Sequence, residues 1–293
     1  ANNVAVSTGR AARQLSPESL WDYEGGVRIN AGAFSANLGG FHYSLKDFIS
    51  KRTLILSPGA VGSTMGGVVI TQQLPTGAVV TAVDPRPILT RANIGRVRIR
   101  GLEAETQWKA TPWLWLRGNI SYLRGIDVET GGPPDIEGGL PPLHGFFSAR
   151  WQRSSKPYWL EAFTLWSDKQ DRLSSLELAD QRIGATRSRS SMAAFFNNGA
   201  VARGLAAAGV LLPTGETLAQ VQNRVLGVGV QSAPMFTQTS GFVTLNFRGG
   251  YRINEKSEFI WLFENVLDKN YRLHGSGIDS LGRNLQLSYI FRF

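Results

Sequence analysis

The chain has 293 residues, with 31 Lys and Arg against 22 Asp and Glu, a formal charge of +9, and no cysteine. Disulfides, thiolate metal sites and cysteine nucleophiles are therefore excluded, and the three histidines, His42, His144 and His274, are too scattered in sequence to suggest a His-based metal cluster. The longest apolar run, "LAAAGVLL" (205–212), falls far short of the ~18 residues of a spanning helix, which excludes a helical membrane protein but not a membrane β-barrel.

The opening "ANNVAVSTGR" lacks Met, a charged segment and an apolar segment. It reads as a chain whose signal has been removed or as a piece of a longer one. The first predicted strand is "WDYEGGVRIN" (21–30), with Trp21, Tyr23, Val27 and Ile29 on one face and Asp22, Glu24, Arg28 and Asn30 on the other. Such period-two alternation marks a strand with one apolar and one polar face. "FSANLGGFHYSLKDF" (34–48) follows, with an expected phase slip at Gly39–Gly40. "RVRIRGLEAETQW" (96–108) puts Arg96, Arg98 and Arg100 in the parity of Leu102 and Trp108, so a second slip is expected near Gly101.

"WLWLRGNISYL" (113–123) alternates cleanly, and "HGFFSARW" (144–151) with "YWLEAFTLW" (158–166) forms a hairpin. "GFVTLNFRGGYR" (241–252) and "SEFIWLFEN" (257–265) form another. The last strand runs from Asn284 to the end, with Leu285, Leu287, Tyr289, Phe291 and Phe293 opposite Asn284, Gln286, Ser288 and Arg292. Short joints follow strands one, three, five and seven. Long connections, 49–92, 128–142, 168–238 and 266–282, follow the others. In an antiparallel meander this places all tight turns at one end and all long loops at the other, the asymmetry of outer-membrane barrels. The strands also exceed the usual soluble length of about 5–6 residues. The expected fold is thus all-β, an antiparallel up-and-down transmembrane β-barrel with long extracellular loops. Trp21, Tyr23, Trp113, Trp151, Tyr251, Phe291 and Phe293 are its expected membrane girdle.

Several stretches resemble the C-terminal barrel portion of TonB-dependent outer-membrane receptors. They are "LSPESLWDYEGGVRI" (15–29), "NIGRVRIRGLEAETQWKATPWLWLRGNISYL" (93–123), "ENVLDKNYR" (264–272) and the terminal "YIFRF". "FFNNGAVARGLAAAGVLLPTGETLAQVQNRVLG" (195–227) and "HGSGIDSLGRN" (274–284) are similar to the Oar-type branch, which carries a carboxypeptidase-regulatory-like domain. Across residues 1–293 the resemblance implies about nine C-terminal strands of a 22-stranded barrel, with the plug and the N-terminal strands absent. It further implies location in the outer membrane of a Gram-negative bacterium. The implied partners are the missing N-terminal barrel and plug portion, a TonB-type energy-transducing protein acting through the plug, and outer-membrane lipid and lipopolysaccharide.

No catalytic constellation is present. "HGSG" (274–277) has His274 where a nucleophile elbow needs Gly, and "LGVGVQ" (226–231) lacks the third Gly and the helix of a dinucleotide site. The dispersed arginines argue against nucleic acid. No cofactor is expected, apart from Ca²⁺ in the acidic loop "DVETGGPPDIEGG" (127–139), whose oxygens suit that ion although its spacing is not an EF-hand's. Arg96, Arg98, Arg100 and Arg117 are candidate lumenal substrate-binding residues, because Arg on the lipid face at mid-depth costs about 2–4 kcal/mol. Arg248 and Arg252 are candidate plug contacts. The loop 168–238 is expected to hold a short helix around Met192–Phe196 and to cover the pore mouth. Two functions remain open: active uptake of a scarce solute, or a structural or export-related scaffold without uptake.

Overall fold

The structure, a computed structural model, describes residues 15–74, 77–82, 87–93, 95–180 and 182–293. The segment "ANNVAVSTGR" and Ile94 of the third strand's motif lie outside them. One antiparallel sheet of nine strands takes its strands in chain order. They are β1 Ser19–Ala31, β2 Phe34–Lys46, β3 Arg96–Thr111, β4 Leu114–Asp127 and β5 His144–Gln152. β6 Tyr158–Ser167, β7 Phe242–Asn254, β8 Ser257–Glu264 and β9 Asn284–Phe291 complete it. All nine expected strands are present. By contacts, the described residues form two compact units, one within Ala1–Tyr23, His42–Ile99 and Gly125–Asp135, the other within Glu24–Phe41, Arg100–Arg124 and Ile136–Phe293.

The alternation of each sequence sets its faces, and the register aligns those faces between strands. Phe247 stands opposite Phe263, and Phe263 opposite Leu285, so the apolar set of β7 continues through β8 into β9. Leu285, Leu287, Tyr289 and Phe291 are all exposed, with relative exposures of 61%, 62%, 60% and 56%. A soluble domain would bury such a row; a membrane wall presents it to lipid. Spin labels at Leu285 and Leu287 should therefore respond to lipid-soluble quenchers and labels at Gln286 and Ser288 to aqueous ones. The opposite response would reverse the faces.

The two expected phase slips are not where the sequence suggested. A Cβ on Gly40 would touch the Leu102 side chain, so Gly40 shares the apolar face with Leu38 and Leu102. A Cβ on Gly101 would collide with the ring of Phe41, so Phe41 lies on the opposite, polar face, over Gly101. The aromatic ring fills the space left by the missing side chain. What looked like a slip is therefore an inward-pointing phenylalanine. Backbone irregularity comes later, at Asp47, whose φ is 56°. Nor does β3 change phase against β4. Ser121 Oγ donates to Glu103 (3.4 Å), a Cβ on Gly118 would lie 3.7 Å from Thr106 Oγ1, and Val128 N–H donates to the Arg96 carbonyl (2.9 Å). All three pairs straddle Pro112 symmetrically, so one register spans the strand pair.

The connections carry their own small cores. In the first unit, Met65, Ile70 and Val79 are buried with Leu54, Leu56, Ala60 and Ile88 around them. In the second, the connection from β6 to β7 holds α1 (Ser175–Ala179), α2 (Arg189–Ala194), a π-helical turn (Phe195–Ala200) and α3 (Leu218–Leu226). The helix expected around Met192–Phe196 is α2 running into the π turn. Phe196, Ala200 and Ala206 form its core against Leu211, Leu218 and Val221. Ser174, Ser188 and Thr217 each form a capping box with the third helical residue, satisfying donors left free by the first turn. Arg189 closes the other end of α3, donating to Asn223 Oδ1 (2.7 Å) and the carbonyls of Gly227 (3.0 Å) and Val230 (2.8 Å). A guanidinium suits that site because the last helical carbonyls lack partners and carry the negative end of the dipole.

The "ENVLDKNYR" segment is a structural device. Asn265 is buried with φ 49°, receives Lys269 N–H on its Oδ1 (2.9 Å), and donates to the carbonyls of Lys269 (2.8 Å) and Leu281 (3.2 Å). Its own N–H donates to Asn246 Oδ1 (2.8 Å), tying the turn after β8 to β7. Asparagine tolerates the left-handed region and supplies both donor and acceptor.

Candidate functional site

The polar face of β4 to β8 carries a belt of charged side chains. Glu161 on β6 stands opposite Arg150 on β5 and Arg248 on β7. Arg248 Nε donates to its Oε2 at 2.9 Å, and Arg150 Nη1 lies at 4.0 Å. The Glu161 side chain is only 2% exposed, whereas those of Arg150 and Arg248 are 27% and 40% exposed. Arg117 on β4 stands opposite Ser148, which places it on the same face. Arg150 also lies over the ring of Trp159 at 4.0 Å, and Arg248 over that of Phe163 at 5.2 Å, cation–π contacts that fix both heads. One carboxylate thus anchors two of three arginines, leaving the belt with an excess of positive charge. Arg252 stands opposite Glu258, which Trp159 Nε1 (3.4 Å) and Arg292 (3.8 Å) also approach.

Beside the belt, an open groove of about 850 Å³ is lined by Arg28, Asn37, Glu103, Asn119, Ser121 and His144 among others. Arg28 Nε donates to Asn37 Oδ1 (2.9 Å) across the first hairpin. Hydroxyl, amide, carboxylate and guanidinium groups together give this groove donors and acceptors of every kind, as needed to hold a polar solute or a polar protein surface.

The structure changes the reading of the arginine ladder. Arg96, Arg98 and Arg100 are exposed and alternate with the buried Val97 and the half-buried Ile99. With no phase change against β4, Arg100 keeps the parity of Leu102 and shares the apolar face, away from Arg117. The register, not the charge, decides the face. The ladder is therefore not part of the polar belt.

The aromatic set divides by strand end. At the short-turn ends, Trp151 stacks on Tyr158 with centroids 5.3 Å apart, Tyr158 stands opposite Tyr251, and Arg153 lies over Trp113 at 5.6 Å. Phe291 stands opposite Ser257, beside the turn that joins β7 to β8. Phe293 is fully exposed. Trp21 and Tyr23, exposed at 60% and 61%, belong to the start of β1, far from its short turn.

In the acidic stretch 127–139, Asp127 Oδ1 accepts from the N–H groups of Glu129 (2.8 Å) and Thr130 (3.1 Å), a turn cap. Among the described residues no group of three or more His, Asp or Glu is placed to hold a metal ion.

Three connections of the second unit meet at a buried chain of side chains. His274 Nε2 lies 2.9 Å from Glu177 Oε1 and its Nδ1 2.9 Å from Thr239 Oγ1, while Glu177 Oε2 accepts Ser174 N–H at 2.7 Å. Both ionisable side chains are 3% exposed. Gly139 packs against the pair so closely that a Cβ there would collide with both Glu177 Oε1 and His274 Nε2. Elsewhere in these connections, hydrogen bonds from Arg224 and Thr214 hold the Glu216 carboxyl below its ordinary range.

Sequence reasoning missed Arg150, Glu161, His274 and Glu177. For the first two a signal existed, since the hairpin register of "HGFFSARW" and "YWLEAFTLW" sets an acid opposite a base on the polar face. For the last two no local pattern exists.

The model of the family described as "TonB dependent receptor-like, beta-barrel" matches residues 2–279. A search of curated proteins gives no match. Among solved structures, a copper transporter, OprC, aligns with TM-score 0.57 and 15% identity over 96% of this chain and 32% of its own. The siderophore receptor PirA from Acinetobacter baumannii aligns with TM-score 0.56 and 16% identity over 95% and 32%. The FrpB iron transporter from Neisseria meningitidis aligns with TM-score 0.55 and 13% identity over 96% and 31%. This chain thus spans about a third of those chains' length. The nine-stranded meander and the family match agree, and the chain belongs to the TonB-dependent receptor β-barrel family.

Proposed function

We propose that the chain is part of the wall of an outer-membrane receptor that binds a scarce solute and admits it with energy delivered by a TonB-type partner through a plug. The protein would sit in the outer membrane of a Gram-negative bacterium and do no covalent chemistry; its work is binding and gating. The observation that carries this reading is the belt on the polar face, where Arg150 and Arg248 flank the carboxylate of Glu161 and Arg117 lies on the same face. A lumen with excess positive charge attracts anionic solutes and holds them through paired guanidinium contacts. Arg117, free of the Glu161 hydrogen bond, is the solute-binding candidate, and Arg248 and Arg252 face the plug. The connection between β6 and β7, which has a core of its own, caps the pore mouth. Family membership supports transport, as do the copper, iron and siderophore proteins of the same fold.

Accumulation of ferric siderophores by cells bearing the full-length gene tests this. Uptake should collapse on adding an uncoupler or deleting the energy-transducing partner. Arg117→Gln should raise the half-saturation concentration about ten- to a hundredfold, as for loss of one hydrogen bond to a charged group, ~1.5–3 kcal/mol. A deletion phenotype confined to envelope integrity, with no energy-dependent accumulation, would support the scaffold reading.

A further inference from the structure

The short-turn end of the wall carries an unbalanced charge. Lys109, Arg153, Lys156, Arg252, Lys256 and Arg292 are all exposed there. Arg252 and Arg292 share Glu258, which stands opposite the first and 3.8 Å from the second. Among the described residues, Lys109, Arg153, Lys156 and Lys256 make no ion pair, and the short turns set one exposed carboxylate, Glu255, against them. Backbone hydrogen bonds join these turns into one edge. Gln152 N–H donates to the Trp113 carbonyl (2.8 Å), Arg252 N–H to that of Pro157 (2.7 Å) and Arg292 N–H to that of Lys256 (2.8 Å). From β3 to β9, at about 4.8 Å per strand, the row of cations spans roughly 30 Å.

Height and composition identify what such a row can hold. The aromatic layer at this end is marked by Trp151 stacked on Tyr158, with Tyr251 opposite Tyr158. Lys156 lies two residues past Tyr158, and Lys256 follows Asn254, itself three residues past Tyr251. At about 3.3 Å per residue both lysines stand roughly 5–10 Å beyond that layer, and their flexible stems carry the ammonium groups farther into water. Arg153 instead lies back over Trp113 and Trp151, at 5.6 and 5.9 Å, and stays at the boundary. Between the cations the turns carry Thr111, Pro112, Ser154, Ser155, Asn254 and Glu255, without a large apolar side chain. A stable contact with a folded protein centres on buried aromatic or apolar anchors, which these turns lack. A row of point charges suits an extended polyanion, because many weak contacts along one chain reinforce one another.

We propose that this rim docks on the carboxylates of the peptide-linked glycan layer beneath the outer membrane. The proposal rests on the reading above for its orientation, with the short turns in the periplasm. Lys156 and Lys256 make the outermost contacts, and Arg153 supports them from the membrane boundary. Docking would hold the wall at a fixed height above that layer, through which an energy-transducing partner must reach.

Co-sedimentation of the full-length receptor, in phosphatidylcholine nanodiscs, with purified cell-wall sacculi tests the rim. Three further arms use sacculi whose carboxyls have been amidated, vesicles of phosphatidylglycerol in phosphatidylcholine, and a range of salt. The wild type should bind native sacculi, and amidation or a rise to several tenths molar salt should weaken binding by about tenfold or more, as screening of exposed charges requires. Arg153→Gln, Lys156→Gln and Lys256→Gln together should cause a similar loss. Arg187→Gln, Arg203→Gln and Arg224→Gln remove the same charge from the long connections and should leave binding intact. If the triple rim variant fails to fold, Lys156→Gln with Lys256→Gln, both at exposed turn positions, and the amidation comparison decide. Equal binding to amidated sacculi, rim variants that bind as wild type, or rim-dependent binding to the vesicles without binding to sacculi would overturn the proposal. Energy-dependent uptake by the rim variants should match the wild type. A receptor that binds sacculi but accumulates no solute would sink the uptake reading alone, and one that accumulates solute without binding sacculi would sink this inference alone.

Discussion

Residues 1–293 expressed alone behind a signal peptide should give no heat-modifiable outer-membrane species, whereas co-expression with strands that can pair with β1 and β9 should give one. Among the described residues, β1 and β9 each neighbour a single strand of the sheet. Each therefore presents a row of N–H and C=O groups along its free side. In water such an edge is solvated, but in hydrocarbon each unsatisfied group costs several kcal/mol, so an open edge is not tolerated there. The penalty exceeds the ~5–15 kcal/mol net stability of an ordinary folded domain after only a few groups. Semi-native electrophoresis with and without heating reads the outcome directly. A protease-resistant, heat-modifiable species from residues 1–293 alone would show that the two edges find each other or a second copy.

The second large effect should come from the buried chain between the connections. His274→Ala removes the partner of Glu177 Oε1 and of Thr239 Oγ1 at once, in a place where both His274 and Glu177 are 3% exposed. A buried polar group stripped of its partner costs about 1–3 kcal/mol, and a charged one more. The loss should be local. Amide exchange should accelerate through 168–241 and 265–283, by about tenfold or more for a change of that size, while β5 to β8 keep their protection. Gly139→Ala should act on the same place by a different route. Its φ is 73°, and an added Cβ would strike both members of the pair. If exchange in 168–241 stays at the wild-type rate in both variants, the chain of His274, Glu177 and Thr239 does not hold these connections.

Much of the wall was legible in the sequence. "NLQLSYIF" and "FVTLNFRGGYR" alternate without interruption, and a strand's period of two is a local property that needs no partner to be read. The alternation of tight turns and long connections likewise follows from chain order alone, and it led to the meander. The short helix near Met192 was also anticipated within the connection 168–238. Which face a charged ladder occupies was not. The sequence around Gly39–Gly40 and Gly101 looks like two slips. The structure instead turns Phe41 onto the polar face over Gly101 and leaves β3 in phase from Arg96 to Thr106, which moves Arg100 from the lumen to the outside of the wall. A glycine in a strand permits either a bulge or a neighbour's ring, and only the adjacent strand decides between them. The meeting of Glu177, Thr239 and His274 was equally hidden, because Glu177 and His274 lie 97 residues apart in the chain. Periodicity was written into the chain one residue at a time. Register between strands and the convergence of distant loops came only with tertiary structure, because they depend on side chains that meet only after the backbone has paired.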